Sequence, residues 1–293
     1  MLRRLAIPLH KQALIFIMGT QLLLCASIPH SKYVQTVSTL EALTGILRPQ
    51  EISTYTLLTK PHNVFKPKFE PGKVNQIEQY YMKCTTIWND EASHFDLSQP
   101  VTEDTQILVQ QLFTGEEVKH WTFQISDLPN AGKNTVSVHN YHESTLVHHH
   151  TKGEDTTAEE KNEGTELMEI DAPKTHKDSF LQFLEALGYD VVNQYWIKGI
   201  RFFYGDIVIE IFKVFIRDDD EPAVNSRLKL KLLDSSNTSQ IKTYLNFPKG
   251  ASVDLLTQGT KDLAKLKESL ANLFELEVPD RMFMDTRVAR VTP

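Results

Sequence analysis

Apolar and polar positions alternate most regularly between Ser179 and Ile216, SFLQFLEALGYDVVNQYWIKGIRFFYGDIVIEIFKVFI, and the period changes within that stretch. Phe180, Phe183, Leu184 and Leu187 recur at helical spacing behind Ser179, which with Gln182 makes a capping-box start, and Gly188 suits the residue just past a helix end. IRFFY and IVIEIF then flank Gly205-Asp206, a pair favoured in two-residue hairpin turns because glycine tolerates positive φ. The turn fixes a register: Tyr204 opposite Ile207, Phe203 opposite Val208, Phe202 opposite Ile209, Arg201 opposite Glu210, Ile200 opposite Ile211. One face is wholly apolar, and the other mixes Phe203, Val208 and Phe212 with the Arg201–Glu210 pair. Such a hairpin belongs in the middle of a sheet, where the ion pair reads as cross-strand support.

Elsewhere the pattern is mostly that of strands. TQLLLCASI is a buried first strand, and Ser31 is the expected cap of a helix, Tyr33–Thr44, ending at Gly45. Further strands are predicted at Ile52–Lys60, Met82–Trp88, Thr105–Phe113, His120–Ser126, Asn134–Val147, Arg227–Leu233 and Gln240–Phe247. A long amphipathic helix runs from Ser252 to Phe274, with Gly259 as its weak point. Connections are of hairpin type and βαβ alternation is missing. The fold class is therefore α+β, mainly β: a many-stranded antiparallel sheet, curled or closed into a barrel, with a few helices packed outside.

Composition narrows the function. The chain has 293 residues, 41% of them apolar, and a formal charge of −7, which argues against a dominant nucleic-acid-binding surface. Cys25 and Cys84 have no metal-ligand spacing and allow at most one bridge. The start of the chain, with Arg3, Arg4 and Lys11 before ALIFIMGTQLLLCAS, has the form of a secretory signal, against which stand Pro8, His10, the interrupting Thr20 and Gln21, and a lone sequon at Asn237. The apolar run is too short to span a bilayer. Residues 1–17 are then an N-terminal extension, and 18–293 one barrel domain, interrupted by an acidic, disordered insertion at about 148–177.

Candidate chemistry is sparse. His148-His149-His150 lies at the mouth of the insertion and reads as a polar tract, without the fixed-spacing partners of a metal site. Arg227, Lys229 and Lys231 share one strand face, solvated by default, or an anion-binding stripe if a closed sheet turns it inward. No phosphate loop, dinucleotide turn, nucleophile elbow or zinc-protease motif is present. On the helix Tyr33–Thr44, Val34, Val37, Leu40 and Leu43 take one side. The other carries Gln35, Thr36, Ser38 and Thr39 with almost no charge, a face to be covered by another part of the chain or by a partner.

Three blocks together carry a resemblance: the opening segment, HWTFQISDLPNAGKNTVSV (His120–Val138) and LEVPDRMFMDTRVARV (Leu276–Val291). With WTFQISDLP before AGKN, LEALGY before the G-IRFF hairpin, and VPDR-x-x-MD-x-RVA, the chain from Met18 onward resembles the Mediator subunit 18 family of ascomycete yeasts. The resemblance implies a β-barrel with outer helices, no enzymatic activity and no cofactor or metal. It also implies a nuclear location in the Mediator head module, pairing with Mediator subunit 20, holding a C-terminal helix of Mediator subunit 8, and contact with RNA polymerase II.

It makes Leu22–Ile28 a strand rather than the core of a signal. Partner contact is expected on the helix carrying Tyr33, Thr36, Ser38 and Thr39. Structural roles are expected for Gly205, for Arg201 with Glu210, and for Asp280, Arg281, Asp285 and Arg287, whose alternating charges would anchor the tail. Two other readings stand beside it. A tunnel-type triphosphate hydrolase needs several glutamates on one strand face, whereas Glu210 stands between Val208 and Phe212; a secreted β-barrel binding protein needs cleavage after Ala26 or Ser27.

Overall fold

A computed structural model describes residues 15–64, 78–88, 94–102, 105–110, 117–132, 135–151, 178–220 and 227–288. The acidic segment 152–177 and residues 1–14 lie outside the described residues. The strands are β1 (Ile15–Ile28), β2 (Gln50–Pro61), β3 (Met82–Ile87), β4 (Ile107–Gln110), β5 (Glu117–Ser126), β6 (Ser137–His150), β7 (Tyr189–Tyr204), β8 (Ile207–Arg217), β9 (Arg227–Leu232) and β10 (Ser239–Pro248). Three helices accompany them: α1 (Tyr33–Thr44), α2 (Ser179–Ala186) and α3 (Val253–Leu270).

All pairings between strands are antiparallel, in the order β10-β1-β6-β5-β3-β2-β7-β8, and β8 pairs back to β10, which closes a ring of eight. The far end of β8 leaves the ring to pair with β9, which pairs with β4. The expected barrel is therefore closed, with a two-stranded flap on one side. Between β7 and β8 the register matches the sequence expectation pair for pair, from Tyr204 opposite Ile207 to Ile200 opposite Ile211. The turn residue Gly205 has φ +59°. With β2 on one side and β9 and β10 on the other, the hairpin is central.

The cross-strand pairs assign every side chain to one of two faces. The first carries Leu22 and Leu24 of β1, Trp121 of β5, Cys84 of β3, Trp196 of β7, Ile209 and Ile211 of β8, and Ile241 of β10, each at most 1% exposed. Against it pack the helices. Phe180 of α2 stacks on Trp121 with ring centroids 4.0 Å apart, and Leu263, Leu266 and Leu270 of α3 are buried. An eight-stranded ring has room inside for side chains, not for three helices. The apolar face is thus the outside of the barrel under its helices, and the second, more polar face lines the interior.

Local details correct several expectations. The cap of α2 is Asp178, whose carboxylate accepts from Phe180 N at 2.7 Å, while Ser179 is the first helical residue. A 3₁₀ turn (His30–Lys32) precedes α1, so Ser31 is not its cap. Gly259 does not break α3. A Cβ there would come within 2.7 Å of the Phe247 ring, so glycine lets the helix lie close on β10. β1 begins at Ile15, inside the segment 1–17 assigned to an extension, because Ile15 to Ile17 pair with Thr145 to Glu143. Both cysteines are free; Cys25 is on the inner face and Cys84 on the outer. Asn237, the sequon residue, gives its amide to Val101 O at 2.6 Å and takes Val101 N–H at 2.9 Å.

Lys213 of β8 is 1% exposed, with Nζ donating to Asn237 Oδ1 at 2.9 Å and no carboxylate within ion-pair reach among the described residues. Burial pushes its pKa down to about 8, against the pull of Asp234. The folded state therefore releases this proton at lower pH than the unfolded chain. The resulting destabilisation is full below pH 8 and disappears as pH rises toward the ordinary lysine value of 10.5. Lys213→Met is expected to raise stability at pH 7 by about 1 kcal/mol. Denaturant titrations of both proteins from pH 7 to 10.5 check this: the gain should shrink steadily with pH, and a pH-independent difference contradicts it.

Candidate functional site in the barrel interior and on the outer helices

The inner face can be followed around the ring. Cys25 of β1 lies opposite Lys242 of β10, Lys242 opposite Glu210 of β8, and Glu210 opposite Arg201 of β7. On the other half, Gln21 lies opposite His139 of β6, Glu143 opposite Gln124 of β5, and Gln124 opposite Lys83 of β3. β3 and β10 are four strands apart in a ring of eight, the largest separation possible. Yet Lys83 and Lys242 repel one another electrostatically, and His139 feels both. All three side chains therefore project into the same interior, near enough to be coupled electrostatically.

The Arg201–Glu210 pair sits in this interior, with Arg201 Nε and Nη2 at 2.9 and 2.6 Å from the same Glu210 oxygen, to which Tyr244 OH also donates at 3.0 Å. Arg201 and Tyr244 thus saturate Oε1 of this carboxylate and the guanidinium neutralises its charge, with which a divalent cation would have to compete. With Lys242 opposite, the surroundings favour anions over metals. Among the described residues no group of three or more histidine, cysteine or acidic side chains is arranged to hold a metal.

Burial sets the charge states here. Burial holds Lys242 below the ordinary lysine range, where Glu210 opposes the shift and Lys83 adds to it; Lys83 is shifted the same way by desolvation of its amine although the residue as a whole is exposed. His139 is pushed down to about 4 by burial and then by Lys242 and Lys83, which keeps it neutral at pH 7. Burial raises the Cys25 thiol and the Glu143 carboxyl. Lys242 is half-buried and Lys83 exposed, so this part of the inner face is open to solvent.

Sequence reasoning passed over Lys83 and Lys242 because a single lysine among apolar strand residues reads as a solvated face. The stripe it did single out, Arg227, Lys229 and Lys231, is on β9, outside the ring. Lys231 Nζ lies 2.8 Å from Asp218 Oδ1 and 3.3 Å from Asp220 Oδ2, and Lys229 Nζ 3.9 Å from Asp218 Oδ2. The two lysines of this stripe are thus neutralised by acids outside the ring.

The three histidines are not part of a disordered tract: they end β6, opposite Lys119, Val118 and Glu117. His150 is 1% exposed, receives Trp121 Nε1–H at 3.0 Å and places Nδ1 3.0 Å from Asp178, while His148 Nε2 is 3.0 Å from Ser179 Oγ. Together they fasten α2 to the barrel wall.

Helix α1 rotates differently from the expectation. Tyr33, Thr36 and Leu40 are buried, Val37 and Leu43 partly so, and Val34 is 57% exposed beside Ser38 and Thr39. Tyr33 and Thr36 therefore belong to the inner side of the helix, because the phenol ring and Leu40 reach the core and Thr36 lies between them in the helical period. Only Ser38 and Thr39, of the four expected partner residues, face outward. Thr39 Oγ1 donates to Gln35 O at 2.8 Å.

The tail after α3 runs back over the strands. Cys25 and Glu277 exchange backbone hydrogen bonds, Arg281 Nε donates to Pro129 O at 2.6 Å, and Asp280 accepts from Met282 N. Arg287 forks onto Asp285 at 2.8 and 2.6 Å and reaches Glu78 at 3.2 Å. Met282 and Phe283 project from it, Phe283 91% exposed, beside a groove of about 590 Å³ bounded by Ile28, Lys32, Leu273 and Val278.

A family model described as "Med18 protein" matches residues 20–287. A Debaryomyces hansenii protein named Mediator of RNA polymerase II transcription subunit 18 is 52% identical, over 92% of this chain and 98% of its own. Its namesake in Candida albicans is 45% identical over 92% and 99%. Among solved structures, a chain from the Schizosaccharomyces pombe Mediator head module superposes with a TM-score of 0.54 at 13% identity, covering 89% of this chain and 98% of that one. At that identity the likeness concerns the fold.

Proposed function

The chain belongs to the Med18 family, and from that membership we propose that it is a non-enzymatic subunit of the Mediator coactivator, in the head module, working in the nucleus. It pairs with Mediator subunit 20, holds the C-terminal helix of Mediator subunit 8, and helps bridge regulators to RNA polymerase II during pre-initiation complex assembly. One observation carries this reading: the family match spans residues 20–287, nearly all of the proposed single domain 18–293, with the insertion inside it. Two surfaces suit protein partners, the outer side of α1 with Val34, Ser38 and Thr39, and the tail patch around Met282 and Phe283. Both expose apolar area, with little charge on the outer side of α1 and with a rim of charged residues, Asp280, Arg281, Asp285 and Arg287, around the tail patch, as at the centres and rims of interfaces. The proposal that this is not a hydrolase rests on Glu210, engaged by Arg201 and Tyr244.

Affinity purification of the tagged protein, followed by mass spectrometry, tests the reading. Subunits 20 and 8 are expected in stoichiometric yield. Deleting Lys152–Glu169 should leave that yield unchanged, since the family fold is built on either side of this segment. Absence of both subunits from the wild-type preparation removes the proposal, and their loss on the deletion alone shows that the segment is a contact. A magnesium- or manganese-dependent triphosphatase activity abolished by Glu210→Gln would instead establish the hydrolase reading.

A further inference from the structure

The inner face of the barrel carries cations that the rest of the molecule does not neutralise. Arg201 is matched by Glu210, but neither Lys83 nor Lys242 has a hydrogen-bond or ion-pair partner among the described residues; Lys242 Nζ lies only over the Tyr244 ring, 4.5 Å from its centroid. His139, 5% exposed, leaves Nδ1 without a hydrogen bond. The other carboxyl of this face, Glu143, makes no ion pair among the described residues and is biased by burial toward its neutral form. Cys25 is biased the same way. Two ammonium groups on one inner face, neither with a counter-charge in contact, repel one another, and most strongly where water is partly excluded, as around the half-buried Lys242. A ligand with several anionic oxygens would relieve that repulsion. It would also give His139 an acceptor.

We propose that the barrel interior binds a compact polyvalent oxyanion of the phosphate class, held between Lys83 and Lys242 from opposite walls with His139 as a third donor. Binding is reversible and involves no bond making or breaking. The Arg201–Glu210–Tyr244 cluster remains intact and bounds the site on one side. The site is separate from the α1 and tail surfaces, so it stands or falls independently of the partner contacts proposed above. Occupancy would tie three walls of the ring together through one ligand, since the residues named come from β3, β6 and β10.

Inorganic diphosphate is a suitable probe, with sodium chloride at matched ionic strength as the reference, on the full-length protein. Diphosphate should raise the melting temperature beyond the chloride reference. In wild-type protein it should also protect Lys83 and Lys242 from acetylation by an activated ester, read by mass spectrometry, while Lys229 and Lys231 on the outer surface react as before. Lys83→Met with Lys242→Met should weaken diphosphate binding by roughly tenfold or more, the scale on which charge-assisted hydrogen bonds act. No thermal shift beyond chloride, protection confined to the outer lysines, or undiminished binding by the double variant would each overturn the proposal. Should the double variant fail to fold, the wild-type footprint decides alone.

Discussion

Phe180→Ala is expected to destabilise the protein by about 3–5 kcal/mol, the usual cost of truncating a fully buried phenylalanine. Phe180 is 0% exposed and occupies the centre of an aromatic layer: Trp121 stacks on it at 4.0 Å, His148 meets it edge-on at 5.3 Å, and Phe183 and Phe123 lie beyond at 6.3 and 6.1 Å. Helix α2 has only eight residues, too short to persist by its own propensity, so this layer and the Asp178 cap are what hold it. Removing the ring would open a cavity against Trp121 and leave the indole one-sided. Phe180→Leu, which keeps much of the volume, should cost clearly less. Denaturant unfolding of the two variants, with near-ultraviolet circular dichroism to follow the aromatic layer, checks the order. A loss below about 1 kcal/mol for alanine would show that α2 is not anchored through this residue.

The second large effect is expected at Gly199, in the middle of β7 between Ile52 and Phe212. A Cβ at this position would overlap the backbone oxygen of Ile211 and come within 2.6 Å of Phe212 Cβ, and neither belongs to the free end of a flexible side chain. The strands would have to separate locally. Gly199→Ala should therefore cost about 1–3 kcal/mol, the range for overpacking a filled site, and Gly199→Val more. Gly205→Ala offers a useful contrast, because at the hairpin turn φ is +59° and no atom lies within 4 Å of the added carbon. There the cost is conformational alone, on the order of 1 kcal/mol. Equal stability losses for valine at 199 and alanine at 205 would contradict this distinction.

How much of this was legible in the sequence depended on how locally each contact is made. The β7–β8 register follows from a two-residue turn, so Gly205-Asp206 was enough to pair Arg201 with Glu210. Helix α1 kept its predicted limits because its apolar period and Gly45, at φ +72°, are local signals; its rotation did not, because Tyr33 and Thr36 are drawn in by distant neighbours. Composition also misled. Asp178 and the histidines stand beside a run of acidic residues, and their roles emerged only when β6 and α2 were placed together. The interior cluster was least accessible of all. Lys83 and Lys242 are 159 positions apart in numbering, and only closure of the ring brings them face to face.

The position of β1 between β6 and β10 has a consequence in time. Its contact with β6 waits for residues near 145, and its contact with β10 joins Gln21 to Asn246, 225 positions later. At a synthesis rate of about 5–20 residues per second, that second edge stays open on the order of ten to forty seconds after β1 leaves the ribosome. Until then Leu22 and Leu24, both buried in the finished barrel, face the cytosol on a strand that lacks both neighbours before β6 is made and one neighbour afterwards. The last-made part of the chain is thus what completes the first, and a ribosome stalled before β10 would release an open sheet, ready to pair with another chain, in place of a barrel.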